Sequence, residues 1–285
     1  MNDEPIITSE ANDTFYSAYS APKLRRLLAT TGRWTISFWQ WPVLFISDAV
    51  AVIWQSCRPI TWRRSIRIEF MRQCYQVGAQ ALPFILVSGI FVGFGIVAQA
   101  LHWLKVFGST ALFGGFLSTV LVREIAPVLV GLIVIGRSGS TLLVELGTMK
   151  TEGQVHMLDA QGIDPFLYLV VPRVLAFCVC MFSLTTAFVA VALLAGFASG
   201  TLFGLIQFGF FDFISRAIGS IGRQTYLLFT LKTVTIGFVV ALISCKTALS
   251  LSDVSARVLD IMPQGFAKSA LAALIISIAL TILLK

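Results

Sequence analysis

The chain has 285 residues, 57% of them hydrophobic and only 12% charged, with a mean hydropathy of +0.87 and a net charge of +7. A soluble domain carries about twice that charged fraction, so the composition excludes an ordinary water-soluble globule. The basic balance does not point to nucleic acid. Nine of the 21 Lys and Arg residues fall between Lys23 and Arg72, outside the longest apolar runs and without an RNA-binding motif, which fits the positive-inside bias of a membrane protein.

In chain order, the first 20 residues are polar and acidic. They lack the basic start and apolar core of a signal peptide and the Arg-rich character of a transit peptide. Residues 1–33 read as a loosely ordered cytosolic tail. Residues 34–55 are apolar enough to cross a membrane, but basic clusters flank them on both sides: Lys23, Arg25, Arg26 and Arg33 before, Arg58, Arg63, Arg64, Arg67 and Arg72 after. A crossing would leave one cluster outside. Five of the six tryptophans gather in and beside this run, and Pro42 interrupts it. A helix lying in the cytoplasmic interface, or a shallow re-entrant one, accommodates all of this, with a basic connector up to residue 74.

Five further runs are long enough to span: residues 81–101, 111–147, 166–195, 225–249 and 266–284. The second is too long for one straight crossing and must tilt, break or project into water. By alternation the N-terminus is cytoplasmic and the C-terminus lies on the far side. Gly89 and Gly93, and again Gly196, Gly200 and Gly204, stand at helix-packing spacing, and packing within one chain is the simpler use for them than a dimer contact.

Four charges lie inside apolar runs: Arg123, Glu124 and Arg137 in the second, Lys232 in the fourth. Near the bilayer centre such a charge costs roughly 2.5–3.5 kcal/mol, so each is expected to face a partner or a wet cavity. Arg123 and Glu124 diverge by ~100° on a regular helix and need other partners. Pro127 cannot donate to the Arg123 carbonyl and favours a kink there. A polar pocket and a structural salt-bridge network explain these features equally well.

Between the second and third runs, Gly162 ends one helix and Asp164-Pro165 starts another as N-cap and first helical residue. Residues 151–161 thus form a short cytoplasmic helix, either a docking element or an ordinary tight connection. Glu145, near a helix C-terminus, calls for a cation from Lys150, Arg173 or a partner. No Walker loop, HExxH, GxSxG or zinc-ligand cluster is present in the sequence, and the five cysteines fit no disulfide or metal framework.

The blocks REIAPVLVGLIVIGRSGSTLLVELGTMK (residues 123–150) and GIDPFLYLVVPRVLA (162–176) resemble the MlaE-type permeases, the membrane subunits of MCE-linked ABC transporters. The family pattern is approximately RE(L/I)GPV, GR(V)GSA, E(I/L)GxMK, a short helix, MG(I/V)DP and YLVxPRxLA, and weaker similarity runs from about Tyr75 to Lys285. Departures are EGQVHML at 152–158 where the family usually has TEQIDAL, Gln161 in place of Met before Gly162, and QGFAKSALAA near the C-terminus.

The resemblance implies an all-α integral membrane protein with an N-terminal interfacial (elbow) helix within residues 34–74, then a permease domain over 75–285. That domain would hold five transmembrane helices, with a short cytoplasmic coupling helix between spans two and three. It implies a homodimer in the bacterial inner membrane, N-terminus cytoplasmic and C-terminus periplasmic, with no catalytic role of its own and no nucleic-acid partner. Two cytoplasmic ABC ATPase subunits would hold ATP and Mg, this chain binding no cofactor or metal. A periplasmic ring, hexameric, of MCE-domain lipid-binding protein and a small STAS-domain protein are the further expected partners, and phospholipid carried between inner and outer membranes is the substrate. Arg123, Glu124, Pro127 and Lys232 match the lipid-cavity positions. Glu145, Lys150, Glu152, His156, Leu158, Asp159 and Asp164 fall on or beside the coupling helix. The competing readings are a membrane-embedded lipid-modifying enzyme using Glu124 or His156, and a non-transporting scaffold for a periplasmic lipid binder.

Overall fold

A computed structural model describes residues 46–56, 64–106, 118–202, 222–250 and 258–283, with a few single residues between 209 and 219. The chain divides into two compact units, Met1–Ala51 and Val52–Lys285. Of the first, residues 46–51 are described and are helical; most of the run expected to lie in the interface falls outside the described residues.

The second unit is helical throughout its regular elements. They are α1 (Arg64–Cys74), α2 (Leu82–Val106), α3 (Ala126–Val134), α4 (Ser140–Thr151), α5 (Gln154–Ala160), α6 (Val171–Leu202), α7 (Arg223–Leu249) and α8 (Val258–Leu283). Four π-helical turns join or precede them, at Tyr75–Ala79, Ser118–Ile125, Ile135–Gly139 and Phe166–Val170. Among the described residues, five helical stretches are long and apolar enough to cross a membrane: Arg64–Ile96, Leu121–Thr151, Phe166–Leu202, Arg223–Leu249 and Met262–Leu283. These are spans one to five below.

Spans three to five fall on the runs read from the sequence, while span two, expected from residue 111, is described as helix from Ser118, residues 107–117 lying outside the described residues. Span one differs. It begins at Arg64, inside the expected basic connector, because α1 runs through a π turn and a short turn at Gln80 and Ala81 into α2. Hydropathy misses α1 because its buried face, Ile66, Glu69 and Gln73, is mostly polar. Pro83, in the first turn of α2, is tolerated there because its missing N–H has no helical partner to lose. The long second run is not broken: it continues as one helix from Leu121 to Thr151, with π windings before and after α3.

Span four is the centre, 67% buried over its most apolar window, whereas span five is 17% buried. α7 packs against α3, α4, α6 and α8. α8 buries one narrow stripe of small residues, Gly265, Ser269, Ala273 and Ser277, spaced by four, with Gly265 against Leu143 of α4. The other face, with Leu271, Ile275, Ile278 and Ile282, is exposed. Gly89 and Gly93 are used inside the chain: a Cβ at Gly89 would press on the Phe188 carbonyl at 3.3 Å, and one at Gly93 would collide with the Ala192 backbone. α2 and α6 therefore meet backbone to backbone. The four described cysteines are free thiols, two of them buried like small hydrophobes.

Candidate functional site

Two polar networks lie within this apolar scaffold, one at each end of span two. From Glu124 to Glu145 that span rises by about 30 Å, so the networks are far apart.

The first is built from spans two, four and five. The Lys232 side chain is wholly buried and its ammonium uses all three protons: to Glu124 Oε2 at 2.8 Å, to Thr281 Oγ1 at 3.0 Å and to the Arg123 carbonyl at 3.1 Å. The last bond answers the expectation about Pro127. Proline has no N–H for the Arg123 carbonyl, and Lys232 reaches across from α7 to occupy it. Pro127 itself is buried in the first turn of α3. Thr281 Oγ1 lies 3.0 Å from Glu124 Oε1 and 2.9 Å from the Ser277 carbonyl, so its single proton has two acceptors.

Arg123 and Glu124, adjacent in sequence, also approach each other. The π winding of Ser118–Ile125 narrows the angle between successive side chains, and Arg123 Nε stands 3.9 Å from Glu124 Oε1. That is an ion pair without a hydrogen bond. Arg123 Nε is buried with no hydrogen-bond partner, while the Glu124 side chain is 41% exposed. Two cations against one carboxylate leave the network at +1, with its unfilled donor on Arg123. The sequence pointed to Arg123, Glu124, Lys232 and Pro127, and the structure brings them together. It adds Thr281, which gives no sequence signal because a threonine in an apolar helix ordinarily bonds its own turn.

The second network joins spans one, two and three. Glu145 Oε1 accepts from Arg72 Nη2 and from Arg173 Nη2, both at 3.1 Å. Arg173 is fully buried; it also lies 3.4 Å from Glu69 Oε1 and donates to the Leu169 carbonyl at 2.9 Å. Gln73 donates to the same Glu69 oxygen at 3.0 Å. Two guanidiniums face two carboxylates, so the network is neutral. Of the cations expected for Glu145, Arg173 is the one found. Lys150 instead donates to the Leu249 carbonyl at 2.6 Å, in the last turn of α7. Arg72 and Glu69 escaped the sequence reading because they sit among other charges.

Beside this network stands α5. It is shorter than expected, Gln154–Ala160 rather than 151–161, because Gly153 takes a left-handed conformation (φ 77°) and separates it from α4. Gly162 (φ 73°) closes it: the Gly162 N–H bonds the Asp159 carbonyl at 2.9 Å and the Ile163 N–H bonds the Leu158 carbonyl at 3.0 Å, a Schellman motif. Asp164 caps the following helix, accepting from the Phe166 N–H at 2.9 Å, as the Asp-Pro pair predicts. No residue of α5 is buried. Glu152, His156 and Asp159 are exposed, Leu158 is half-buried, and Met157 is 65% exposed. The chain itself thus leaves a short helix uncovered at the end of the bundle.

This is the architecture of a multi-pass α-helical membrane protein with an ion-paired polar site inside its bundle and an uncovered helix at one end. The sequence profile of the permease MlaE family matches residues 70–283, and the chain belongs to that family. Among curated relatives, a probable ABC transporter permease protein of Synechocystis is 31% identical over 65% of this chain and 69% of its own length. The chloroplastic protein TRIGALACTOSYLDIACYLGLYCEROL 1 of Arabidopsis thaliana is 29% identical over 66% of this chain and 51% of its own length. The intermembrane phospholipid transport system permease protein MlaE of Haemophilus influenzae is 32% identical over 44% of this chain and 48% of its own length.

Proposed function

We propose that this chain is the non-catalytic permease subunit of an ABC transporter that moves phospholipids between the inner and outer membranes. The observation that carries the reading is the net positive Glu124–Lys232–Thr281 network with its unfilled Arg123 donor. Lys232 is saturated by protein acceptors, so the headgroup phosphate falls to Arg123, while Lys232 holds Glu124 in place. The phospholipid permease of Haemophilus influenzae, similar over the shared region, supports the choice of substrate.

In this reading α5 is the coupling helix, and Met157, His156 and Asp159 on its exposed surface meet a separate ATPase subunit that holds ATP and Mg. Glu145, Lys150, Glu152, Leu158 and Asp164 position it. The α5 end faces the cytoplasm of a bacterial inner membrane: Arg64, Arg67, Arg72, Lys150 and Lys246 gather there, against Arg123, Arg223 and Lys232 toward the other end. The N-terminus is then cytoplasmic and the C-terminus periplasmic. The working assembly is a homodimer with two ATPase subunits, a periplasmic MCE ring and a STAS-domain protein.

The test is Arg123→Gln in the full complex. Phospholipid co-purifying with the complex, counted by mass spectrometry, and lipid transfer between vesicles should both fall roughly tenfold or more while subunit assembly is kept. Wild-type retention and transfer in this variant would sink the assignment of Arg123.

A further inference from the structure

Arg137 has a different environment from Arg123, Glu124 and Lys232, the other charges inside the apolar runs. It lies in the π turn Ile135–Gly139, and no carboxylate lies within ion-pairing distance of it among the described residues. Its recorded contact is with an aromatic face: the guanidinium carbon sits 5.1 Å from the centroid of the Phe84 ring. It lines a cleft of about 60 Å³ between span one and span two, together with Gln76, Gln80, Ser138, Thr141 and Glu145. One water takes ~30 Å³ in the liquid, so the cleft has room for a group of phosphate size and not for a whole lipid.

The donors point to an anion. Ser138 is buried and its hydroxyl has no hydrogen-bond partner. The Gln76 and Gln80 amides can donate. The one acid in the lining, Glu145, already has Oε1 held by Arg72 and Arg173 within a neutral network. The cleft therefore keeps the full charge of Arg137. Its mouth opens outward, since Gln80 and Thr141 are exposed and Phe84 is 60% exposed.

We propose that this cleft is a second anion site, in which Arg137 and Ser138 hold a phosphate group about 20 Å along span two from Glu124. The phosphate belongs either to a lipid headgroup or to a free phosphate ion. If the ligand is a lipid, which rests on the function proposed above, span two carries two cationic stations for one headgroup.

The test uses the full chain in a neutral maltoside detergent, titrated with dihexanoyl phosphatidylglycerol, with inorganic phosphate and with uncharged dihexanoyl glycerol, and read by native mass spectrometry. Two phosphatidylglycerol sites are expected. Arg137→Gln should weaken one of them roughly tenfold, and Arg137→Lys should keep most of the binding. Gln80→Glu adds a negative charge at the exposed mouth without removing any packing, and should weaken the same site. Phosphatidylglycerol binding alone identifies a headgroup site; equal binding of inorganic phosphate identifies a free-ion site. The inference is overturned if Arg137→Gln and Gln80→Glu both leave the isotherm unchanged, or if dihexanoyl glycerol binds as well as the charged lipid. Arg123→Gln separates the two claims: it should abolish the other site alone. If it leaves binding intact while Arg137→Gln removes it, the cleft stands and the Arg123 assignment falls.

Discussion

The two ends of span two use similar residues to opposite effect. Near α5, two arginines meet two carboxylates and an amide, and Arg173 is sealed from its surroundings on every side. At the far end, two cations meet one carboxylate that is 41% exposed, and the Arg123 side chain is itself partly exposed. A neutral, sealed network, even with Arg173 Nε also left without a hydrogen-bond partner, holds helices in register and presents no net charge to a ligand. A network with a net positive charge that can be reached from outside attracts an anionic ligand. The comparison assigns structure to one end and binding to the other, and substitutions can test that division.

The largest effect is expected at Arg173. Arg173→Met leaves Glu69 and Glu145 facing each other with only the half-exposed Arg72 between them. Breaking a buried pair this way costs about 3–5 kcal/mol, so thermal unfolding in detergent should show a large loss of stability. A melting temperature close to wild type would mean that the Arg72–Glu145 pair alone holds the three spans. Next is Lys232→Met, which leaves Glu124 with Thr281 and the Arg123 guanidinium 3.9 Å away. Because Glu124 can be reached from outside the fold, the stability loss should be smaller, about 1–3 kcal/mol, while phospholipid transfer is lost. If Lys232→Met destabilises as strongly as Arg173→Met, the two networks are not different in kind.

Smaller effects sharpen the same contrast. Glu124→Gln keeps an acceptor for Lys232 and raises the network by one charge. Retention of anionic phospholipid should stay equal or rise, and a fall would show that the carboxylate itself contacts the ligand. Thr281→Val removes one hydroxyl from a network in which Lys232 keeps two other acceptors; a loss of about 1 kcal/mol in chemical or thermal unfolding is expected, with lipid transfer intact.

How far these networks could be read in the sequence depended on their surroundings. Arg123, Glu124 and Lys232 stand out because charge is costly in an apolar helix, and Pro127 announces a free carbonyl without naming the donor that fills it. Thr281 could not be found, since only the fold brings α8 beside α3 and α7. Glu69 and Arg72 were hidden for the opposite reason: they lie in a stretch so rich in charge that no single residue stands out. The same blindness hid how far back the helix of span one reaches, because a hydropathy window averages over the buried face of α1. The glycine and Asp-Pro signals around α5 survived intact, as backbone conformation and capping are decided locally.

The contact of α2 with α6 at Gly93 has a mechanical consequence. Side chains can hop between rotamers and let two helices slide, but main chain resting on main chain has no such slack. Spans one and three should therefore act as one stiff beam, which the Arg173 network clamps again near α5. Any change of shape during a working cycle then has one fewer independent part to move, and must fall on the joints that bind this beam to spans two, four and five.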